Sequence, residues 1–177
     1  MDSDAAMAPR LDSLEIRQVR PDEYEAAGEV VVAAYEALDG DSATGGYADE
    51  LRDVAHRVTG SEVIVAVHGG QVIGCVTFVP DTASPWAEGL EEGESAVRML
   101  GVHPQSQRLG AGKALLDACV SRAVARGSQY LFLHSTPWMT TAQKMYTRAG
   151  FVRVPERDWL PVPEVPLLAF RLALAAD

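Results

Sequence analysis

The stretch QRLGAGK, residues 107–113, combines two glycines with two cationic side chains just before a predicted helix. Gly110 and Gly112 let the backbone approach a ligand without interference from a Cβ atom. The amides that open a helix lack intrahelical partners, and the helix dipole adds positive potential at the same place. Arg108 and Lys113 add positive charge. The stretch therefore predicts either a phosphate-binding turn or a tightly packed strand-to-helix turn.

Two common nucleotide-binding loops do not fit these letters. A Walker A loop, G-x-x-x-x-G-K followed by Ser or Thr, matches Gly112 and Lys113. It meets Gln107 where its first glycine belongs and Ala114 where its Mg²⁺-binding hydroxyl belongs. The dinucleotide pattern G-x-G-x-x-G fails as well. Nucleoside triphosphate chemistry therefore loses most of its support.

A shorter phosphate-loop pattern does fit: Gln or Arg, two residues, Gly, one residue, then Gly or Ala. It is carried by Gln107, Arg108, Leu109, Gly110, Ala111 and Gly112, and the letters MLGVHP precede it. A second pattern follows at a suitable distance and consists of Ala142, Tyr146, Gly150 and Phe151. In order, spacing and strand–helix context, the sequence resembles the GNAT superfamily of acyl-CoA-dependent N-acetyltransferases. The resemblance extends over residues 14–172 in element order, and its specific residues lie between 96 and 151.

The resemblance implies where the co-substrate acetyl-CoA binds. Its pyrophosphate would lie on the backbone amides of residues 107–113. Its pantetheine arm would pair, like an added β-strand, with the backbones of Leu100 and Val102. Gly101 would permit a bulge that splays this strand from the next, and the Leu100 N–H would polarise the thioester carbonyl. No metal is implied.

Transfer to an amine needs an acid that protonates the departing thiolate and a base that accepts a proton. The spacing of Tyr146 matches the tyrosine that serves as this acid in the family, although its place on an apolar helix stripe also suits a core aromatic. Many relatives carry a glutamate where this chain has Ala96. Glu94, two residues earlier on the same strand face, is the candidate base, acting through water. An unidentified residue or deprotonation by solvent is the alternative.

Other side chains near these motifs have weaker functional readings. His134 and Ser135 do not form a hydrolase pair, because the G-x-S-x-G elbow is absent and strand neighbours point to opposite faces. Three tryptophans would either line the acceptor pocket or serve as packing residues: Trp86, Trp138 and Trp159.

Hydrophobic periodicity predicts the elements that hold these residues. LEIRQV, AVRMLGV and YLFLHS alternate as strands do, and EVIVAVHGGQVIGCVTFV reads as a hairpin. Helices are predicted from Pro21, within residues 47–58, after Gly110 and after Thr140, and a last strand over 167–172. The order β-α-α-β-β-β-α-β-α-β indicates an α/β protein with a mixed sheet covered by helices on both faces. The resemblance implies a GNAT-like, mostly antiparallel form of that sheet.

Length and composition indicate one globular domain. The 177 residues suit a single domain over residues 13–177, after a leader at residues 1–12 that we expect to be disordered. Cys75 and Cys119 lie in apolar segments without a CxxC or Cys/His pairing, so we expect two buried thiols. Neither a signal peptide nor an apolar run of transmembrane length occurs, which predicts a cytoplasmic protein without membrane association.

The formal net charge of −10 argues against nucleic acid and anionic lipid as partners. It favours a neutral or cationic diffusing partner. Acidic residues in the segment before AVRMLGV would either attract an amine or form a solvated loop, namely Glu88, Glu91, Glu92 and Glu94.

These observations predict an N-acetyltransferase that moves an acetyl group from acetyl-CoA to a primary amine of a small molecule or peptide, by direct attack. The alternatives are a non-catalytic acyl-CoA-binding regulatory module and a turn that binds another nucleotide. The resemblance also makes a homodimer possible. Neither the acceptor nor the acyl-chain preference is legible in the sequence.

Overall fold

A computed structural model describes residues 13–39 and 47–175. The predicted leader at residues 1–12 lies outside the described residues, as does the glycine-rich stretch 40–46. Strand β1 (Glu15–Gln18) is followed by a 3₁₀ turn (Pro21–Glu23) and helix α1 (Tyr24–Asp39). Proline at the first position and acidic residues in the first turn favour this start, as predicted.

The helix predicted within residues 47–58 is two shorter helices, α2 (Tyr47–Arg52) and α3 (Val54–Arg57). Asp53 separates them, because its side chain accepts the His56 amide at 3.1 Å and caps the second helix. A single helix would have required Asp53 in its interior, where the aspartate competes with the backbone.

The predicted hairpin is confirmed as strands β2 (Glu62–His68) and β3 (Gln71–Val79). Gly69 and Gly70 form its turn with φ of 56° and 76°, a backbone conformation that glycine adopts without strain. The loop after β3 leads to β4 (Glu94–Val102), which begins two residues before the predicted AVRMLGV strand.

The remaining elements run from the glycine-containing turn to the C-terminal strand. They are α4 (Ala111–Ala125), β5 (Tyr130–Ser135), α5 (Thr140–Arg148), β6 (Val152–Arg153), β7 (Trp159–Val162) and β8 (Val165–Ala173). The short strands β6 and β7 were not predicted. Each consists of only a few exposed residues and lacks the alternation that reveals a half-buried strand.

The strands form one sheet in the order β1-β2-β3-β4-β5-β8-β6, and β7 pairs with β8 outside this path. Only β4 and β5 pair in parallel, and every other pairing in the described sheet is antiparallel. This confirms the predicted mixed, mostly antiparallel sheet.

Helices cover both faces of the sheet, and each face has its own core. On one face α4 and α5 bury Leu115, Leu116 and Tyr146 against apolar residues of the central strands. On the opposite face α1, α2 and α3 bury Val31, Leu51 and other residues against β2 and β3. The strand residues alternate between the two cores, so each side chain of β4 and β5 belongs to a definite face.

Gly101 of β4 brings this strand against helix α1. A Cβ atom added there would lie 3.0 Å from the Ala34 Cβ and 3.1 Å from the Val31 Cα. Contacts this short require α1 to move, because the Val31 Cα is a backbone atom and cannot rotate away as a side chain can.

Gly101→Ala should therefore destabilise the fold by about 1–3 kcal/mol, the usual cost of overpacking. Thermal unfolding should show a fall of several degrees. Gly112→Ala is the control, because its Cβ would meet the Met145 sulfur at an ordinary 3.6 Å. An unchanged melting temperature for Gly101→Ala would contradict this account of the contact.

Candidate active site

Strands β4 and β5 separate after a short paired region. Their parallel register joins Glu94–Ala96 to Tyr130–Phe132 and extends no further. Beyond Ala96 the β5 side of β4 has no strand partner, although β4 continues to Val102. The two diverging strands therefore leave a gap that opens through the sheet.

A β-bulge in β4 accompanies this gap. The β3–β4 register pairs Cys75 with Gly101 but Thr77 with Arg98, so β4 carries one extra residue in between. Met99 has φ of 52° and is the only described non-glycine residue with positive φ. The predicted bulge is present, but Met99 rather than Gly101 takes the unusual conformation, and Gly101 instead permits the contact with α1.

The free edge of β4 exposes the backbone groups predicted to hold the pantetheine arm. The His103 amide donates to the Ile73 carbonyl at 2.8 Å, so it points towards β3. Because backbone groups alternate along a strand, those of Val102 and Leu100 point to the opposite side, towards the gap. An extended chain could therefore add to β4 at these two residues.

Arg57 of α3 supports the bulge from beneath and was not identified from the sequence. Its guanidinium is fully buried and donates to the Met99 sulfur at 2.9 Å, to Thr77 Oγ1 at 3.1 Å and to the Leu51 carbonyl at 2.7 Å. No carboxylate pairs with it among the described residues, and its Nε has no partner. Its positive charge thus lies against the strained segment of β4.

The turn after β4 contains a 3₁₀ segment (Pro104–Leu109) and joins α4 at Gly110, which has φ of 77° and ψ of 15°. The first helical hydrogen bond runs from the Ala114 amide to the Gly110 carbonyl at 3.0 Å. The amides of Gly112 and Lys113 precede this bond and belong to residues with exposed surface. Ala111 is completely buried, so the predicted contribution of its amide to a ligand site is not favoured.

The side chains of this turn are open to solvent. Gln107, Arg108 and Leu109 are exposed, and a Cβ atom at Gly110 would meet nothing within 4 Å. Lys113 forms an exposed ion pair with Asp117 at 2.7 Å, one turn later on α4. The positive side chains at the helix start are therefore exposed, while the amides are held by the backbone.

Tyr146 of α5 lies on the α4 side of the sheet and is 6% exposed. Its ring packs at centroid distances of 5.8 Å from Phe151 and 6.2 Å from Phe170. Burial raises its pKa well above the ordinary value, so the phenol keeps its proton at neutral pH. It packs as a core aromatic, and its predicted role as proton donor stays a prediction.

A cavity of about 560 Å³ opens at the gap, and α1, α2 and the segment 159–167 supply its outer walls. Its aromatic lining consists of Tyr35, Tyr47, Phe132, His134, Trp138 and Trp159. Burial, and to a smaller extent the charges of Tyr47 and Tyr146, raise the pKa of Tyr35.

Of the three predicted pocket tryptophans, Trp138 and Trp159 line this cavity and Trp86 does not. Trp86 packs edge-on against His56 at 5.0 Å and donates its indole N–H to the Thr59 carbonyl. Its backbone carbonyl accepts a hydrogen bond from Arg98, which does line the cavity.

Glu94 lies at the start of β4, as the prediction of a base required, but its carboxylate is already engaged. Arg157 donates to both of its oxygens, at 2.6 and 2.9 Å, and the Glu91 amide donates to Oε2 at 3.0 Å. Glu94 is buried and is not among the residues that line the cavity. These contacts favour a structural role, in which Glu94 fixes Arg157, over the predicted acceptance of a proton.

Glu94→Gln should accordingly lower stability by about 1–3 kcal/mol, because it leaves the partly exposed Arg157 guanidinium without its compensating charge. Once acetyl transfer is measurable, kcat should stay within about threefold of wild type, because the glutamine oxygen can still accept a hydrogen bond from Arg157 and keep that residue in place. Glu91→Gln is the matched control, since Glu91 reaches Arg157 only at 3.8 Å and is exposed. An unchanged melting temperature together with a large loss of kcat would reinstate Glu94 as the base.

His134 and Thr136, at the end of β5, face the cavity from the strand side. His134 is half-buried, and its Nε2 lies 3.2 Å from the Arg157 carbonyl oxygen. Burial lowers the pKa of its imidazole. The Thr136 hydroxyl is buried without a hydrogen-bond partner among the described residues. Such a group indicates a polar ligand atom or water at this place.

These cavity residues were mostly missed from the sequence. Tyr35 carried no functional signal in the sequence, and His134 was considered only as part of a rejected hydrolase pair. The sequence does not show how strands pair. Arg98 and His134 line the same cavity only because β4 and β5 lie side by side.

Within residues 13–39 and 47–175, no group of three or more His, Cys, Asp or Glu side chains is arranged to hold a metal ion. In the same part of the chain, no helix has the length and hydropathy needed to cross a bilayer. Cys75 and Cys119 are buried free thiols, as predicted, and burial raises the pKa of each to about 12. At neutral pH they remain protonated and unreactive.

Comparison with known proteins gives a family match and several structural relatives. Residues 23–151 match the family model described as the acetyltransferase (GNAT) family. A curated relative, mycothiol acetyltransferase of Cellulomonas flavigena, is 37% identical over 93 residues. This match covers 51% of the chain but only 26% of that relative.

Two solved structures share the fold at low sequence identity. A GNAT-family acetyltransferase of Staphylococcus aureus Mu50 has a TM-score of 0.73 at 16% identity, covering 92% of this chain and 100% of that one. The PaiA N-acetyltransferase of Thermoplasma acidophilum, in complex with coenzyme A, has a TM-score of 0.68 at 13% identity. It covers 89% of this chain and 98% of its own.

Proposed function

The chain belongs to the acetyltransferase (GNAT) family, and from that premise we propose that it transfers an acetyl group from acetyl-CoA to a primary amine. The acceptor is a small molecule or an exposed amine of a peptide. The observation that carries the proposal is the opening of the sheet at Ala96 and Phe132, next to the bulge at Met99 and before the glycine turn.

The turn and the edge of β4 form the proposed acetyl-CoA site. The amides of Gly112 and Lys113, at the positive end of the α4 dipole, would hold the pyrophosphate. The backbone groups of Leu100 and Val102 would pair with the pantetheine arm, as an added strand does. The thioester then lies in the gap beside the bulge, where the Leu100 amide donates to its carbonyl oxygen.

Direct transfer requires the N–C bond to form while the C–S bond breaks. The amide hydrogen bond at the bulge stabilises charge on the carbonyl oxygen, and the nearby Arg57 guanidinium supports this with its unpaired positive charge. Tyr146 donates its hydroxyl proton to the departing sulfur. Burial raises its pKa, so the phenol carries its proton before the reaction, as an ordinary tyrosine also does at neutral pH.

The cavity on the opposite face supports the acceptor site. Its volume of about 560 Å³ is ordinary for a site that takes a small molecule or the end of a peptide. Aromatic faces attract a cationic amine, and Glu50 and Glu88 at the cavity wall add negative charge. The name of the relative, mycothiol acetyltransferase, supports acetyl transfer as the activity. The match covers only 26% of that protein, so its substrate is not assigned to this chain.

A panel of primary amines, incubated with the chain and acetyl-CoA, tests the proposal by release of free CoA thiol. We expect thiol release with at least one amine, matched by the mass of an acetylated product. Calorimetry should show that CoA binds and that ATP and NAD do not compete. Tight CoA binding without release on any amine would favour a non-catalytic acyl-CoA-binding module, and preferential ATP binding would overturn the assignment.

A further inference from the structure

We propose that His134 is the catalytic base, and that its Nδ1 accepts the proton that the acceptor ammonium must lose before attack. This inference rests on the proposed acetyl transfer to an amine. It assigns a proton acceptor to the site. Ala96 cannot accept a proton, and the carboxylate of Glu94 is engaged in an ion pair with Arg157.

Strand register places His134 on the acceptor side of the gap. Ala96 and Phe132 are paired in the parallel β4–β5 register, so their side chains share a face. Two residues further on, Arg98 and His134 lie on that same face, where the strands have already separated. The face is the one covered by α1 and α2, opposite the face that carries Tyr146. The proposed proton acceptor and proton donor therefore lie on opposite faces of the sheet.

The hydrogen bond of His134 fixes which nitrogen is basic. Its Nε2 lies 3.2 Å from the Arg157 carbonyl oxygen, and a carbonyl can only accept. Nε2 must therefore carry the hydrogen, which leaves the lone pair of the neutral ring on Nδ1. Nδ1 has no hydrogen-bond partner among the described residues. It is also not one of the fully buried side-chain polar atoms that lack a partner, which are Arg57 Nε and Thr136 Oγ1. The basic nitrogen is thus not sealed off from solvent, and His134 is one of the residues that line the cavity.

The surroundings hold the ring in place. The imidazole packs edge-on against Phe132 at a centroid distance of 4.9 Å and lies 6.3 Å from Trp159. Arg157, whose carbonyl accepts the hydrogen bond, is itself fixed by Glu94 and by stacking of its guanidinium 3.9 Å from the Phe132 centroid. A proton acceptor oriented in this way can act without first reorganising.

The charges around the ring determine its protonation state. Burial is the main cause that lowers the pKa of His134, and the positive charges of Arg157 and Arg98 act in the same direction. The hydrogen bond to the Arg157 carbonyl and the charge of Asp158 oppose them. Across the cavity lie the carboxylates of α2 and of the loop before β4, Glu50 and Glu88, and the hydroxyls of Tyr35 and Tyr47. The imidazole is therefore neutral at pH 7 and able to accept a proton.

The protons balance over the reaction. An alkylamine, whose ordinary pKa is about 10, arrives as ammonium and gives one proton to His134 Nδ1. Its freed lone pair forms the N–C bond with the acetyl carbon, and the sulfur leaves with the electron pair of the C–S bond. Tyr146 gives its proton to that sulfur, and the second proton lost by nitrogen restores the Tyr146 hydroxyl. The imidazolium then passes its proton to solvent.

His134→Gln is the sharpest test, because a glutamine amide can keep the hydrogen bond to the Arg157 carbonyl but has no basic nitrogen. The kcat/KM of the wild-type chain for its best amine should stay flat from below pH 6.5 towards the pKa of the amine. In the variant it should be lower by about 10²-fold at pH 7, within the usual range for a general base. It should then rise about tenfold per pH unit, because only amine already neutral in solution reacts.

His56→Gln is the matched control, since His56 packs against Trp86 outside the cavity, and its pH profile should equal that of the wild type. The melting temperature and the affinity for acetyl-CoA are measured for both variants. His134→Asn, which also lacks a basic nitrogen, must show the same rise of kcat/KM with pH. A His134→Gln variant that keeps the flat profile and a rate within about threefold overturns the role of His134 alone. Absence of transfer by the wild-type chain overturns the proposed function itself.

Discussion

Tyr146→Phe lowers kcat for acetyl transfer by roughly 10²–10⁴-fold, the range expected when a positioned general acid is removed. The affinity for acetyl-CoA changes little, because the phenylalanine ring keeps the contacts with Phe151 and Phe170. The thiolate must then leave without a proton donor, and the loss falls on the chemical step rather than on binding. Single-turnover kinetics with saturating acetyl-CoA measure this step directly.

Tyr130→Phe is the matched control, because Tyr130 lies at the paired end of β5, away from the gap, with Arg171 over its ring. It should retain full activity. An unchanged single-turnover rate in Tyr146→Phe would remove Tyr146 as the acid and leave it as a core aromatic residue.

Gly110→Val weakens acetyl-CoA binding by roughly 10²–10³-fold, because two costs add. A branched side chain at φ of 77° raises the free energy of this conformation by about 1–3 kcal/mol. The turn therefore shifts towards another backbone conformation. The amides of Gly112 and Lys113 then lose their alignment, and each hydrogen bond to a charged group contributes about 1.5–3 kcal/mol. Isothermal calorimetry with CoA measures the change in Kd.

Gly127→Val is the matched control, because it introduces the same backbone strain away from the proposed CoA site. Gly127 has φ of 75° and, like Gly110, nothing within 4 Å of its added Cβ atom, but it follows the other end of α4. Both variants should lose similar stability, while only Gly110→Val loses affinity. Equal Kd values for the two variants would show that the turn does not bind the co-substrate.

The sequence was most informative where one pattern decides one element. Alternating letters predicted the β2–β3 hairpin, and the glycines at 69 and 70 predicted its turn. The Gly110 turn followed by an apolar helix predicted the junction of β4 and α4. These features depend on residues close together in the chain, so local periodicity and turn chemistry are sufficient to find them.

The site was predicted less completely, because its features depend on register. The presence of a bulge was expected, but the strained residue is Met99, which contacts the buried Arg57, while Gly101 is held closely against α1. Sequence offers no sign that a residue 42 positions away contacts Met99.

The base shows the same limit. Glu94 was selected because it shares a strand face with Ala96, which is correct, but its partner Arg157 comes from a turn 63 residues later. His134 became a candidate only when the Arg157 carbonyl fixed its tautomer and the β4–β5 pairing fixed its face.

A crystal structure of the chain with CoA tests the central claim most directly. The account predicts pyrophosphate oxygens within about 2.7–3.2 Å of the amide nitrogens of Gly112 and Lys113, with the pantetheine arm paired to the backbones of Leu100 and Val102. Pyrophosphate bound elsewhere, or an arm that leaves the gap between β4 and β5 empty, would contradict it.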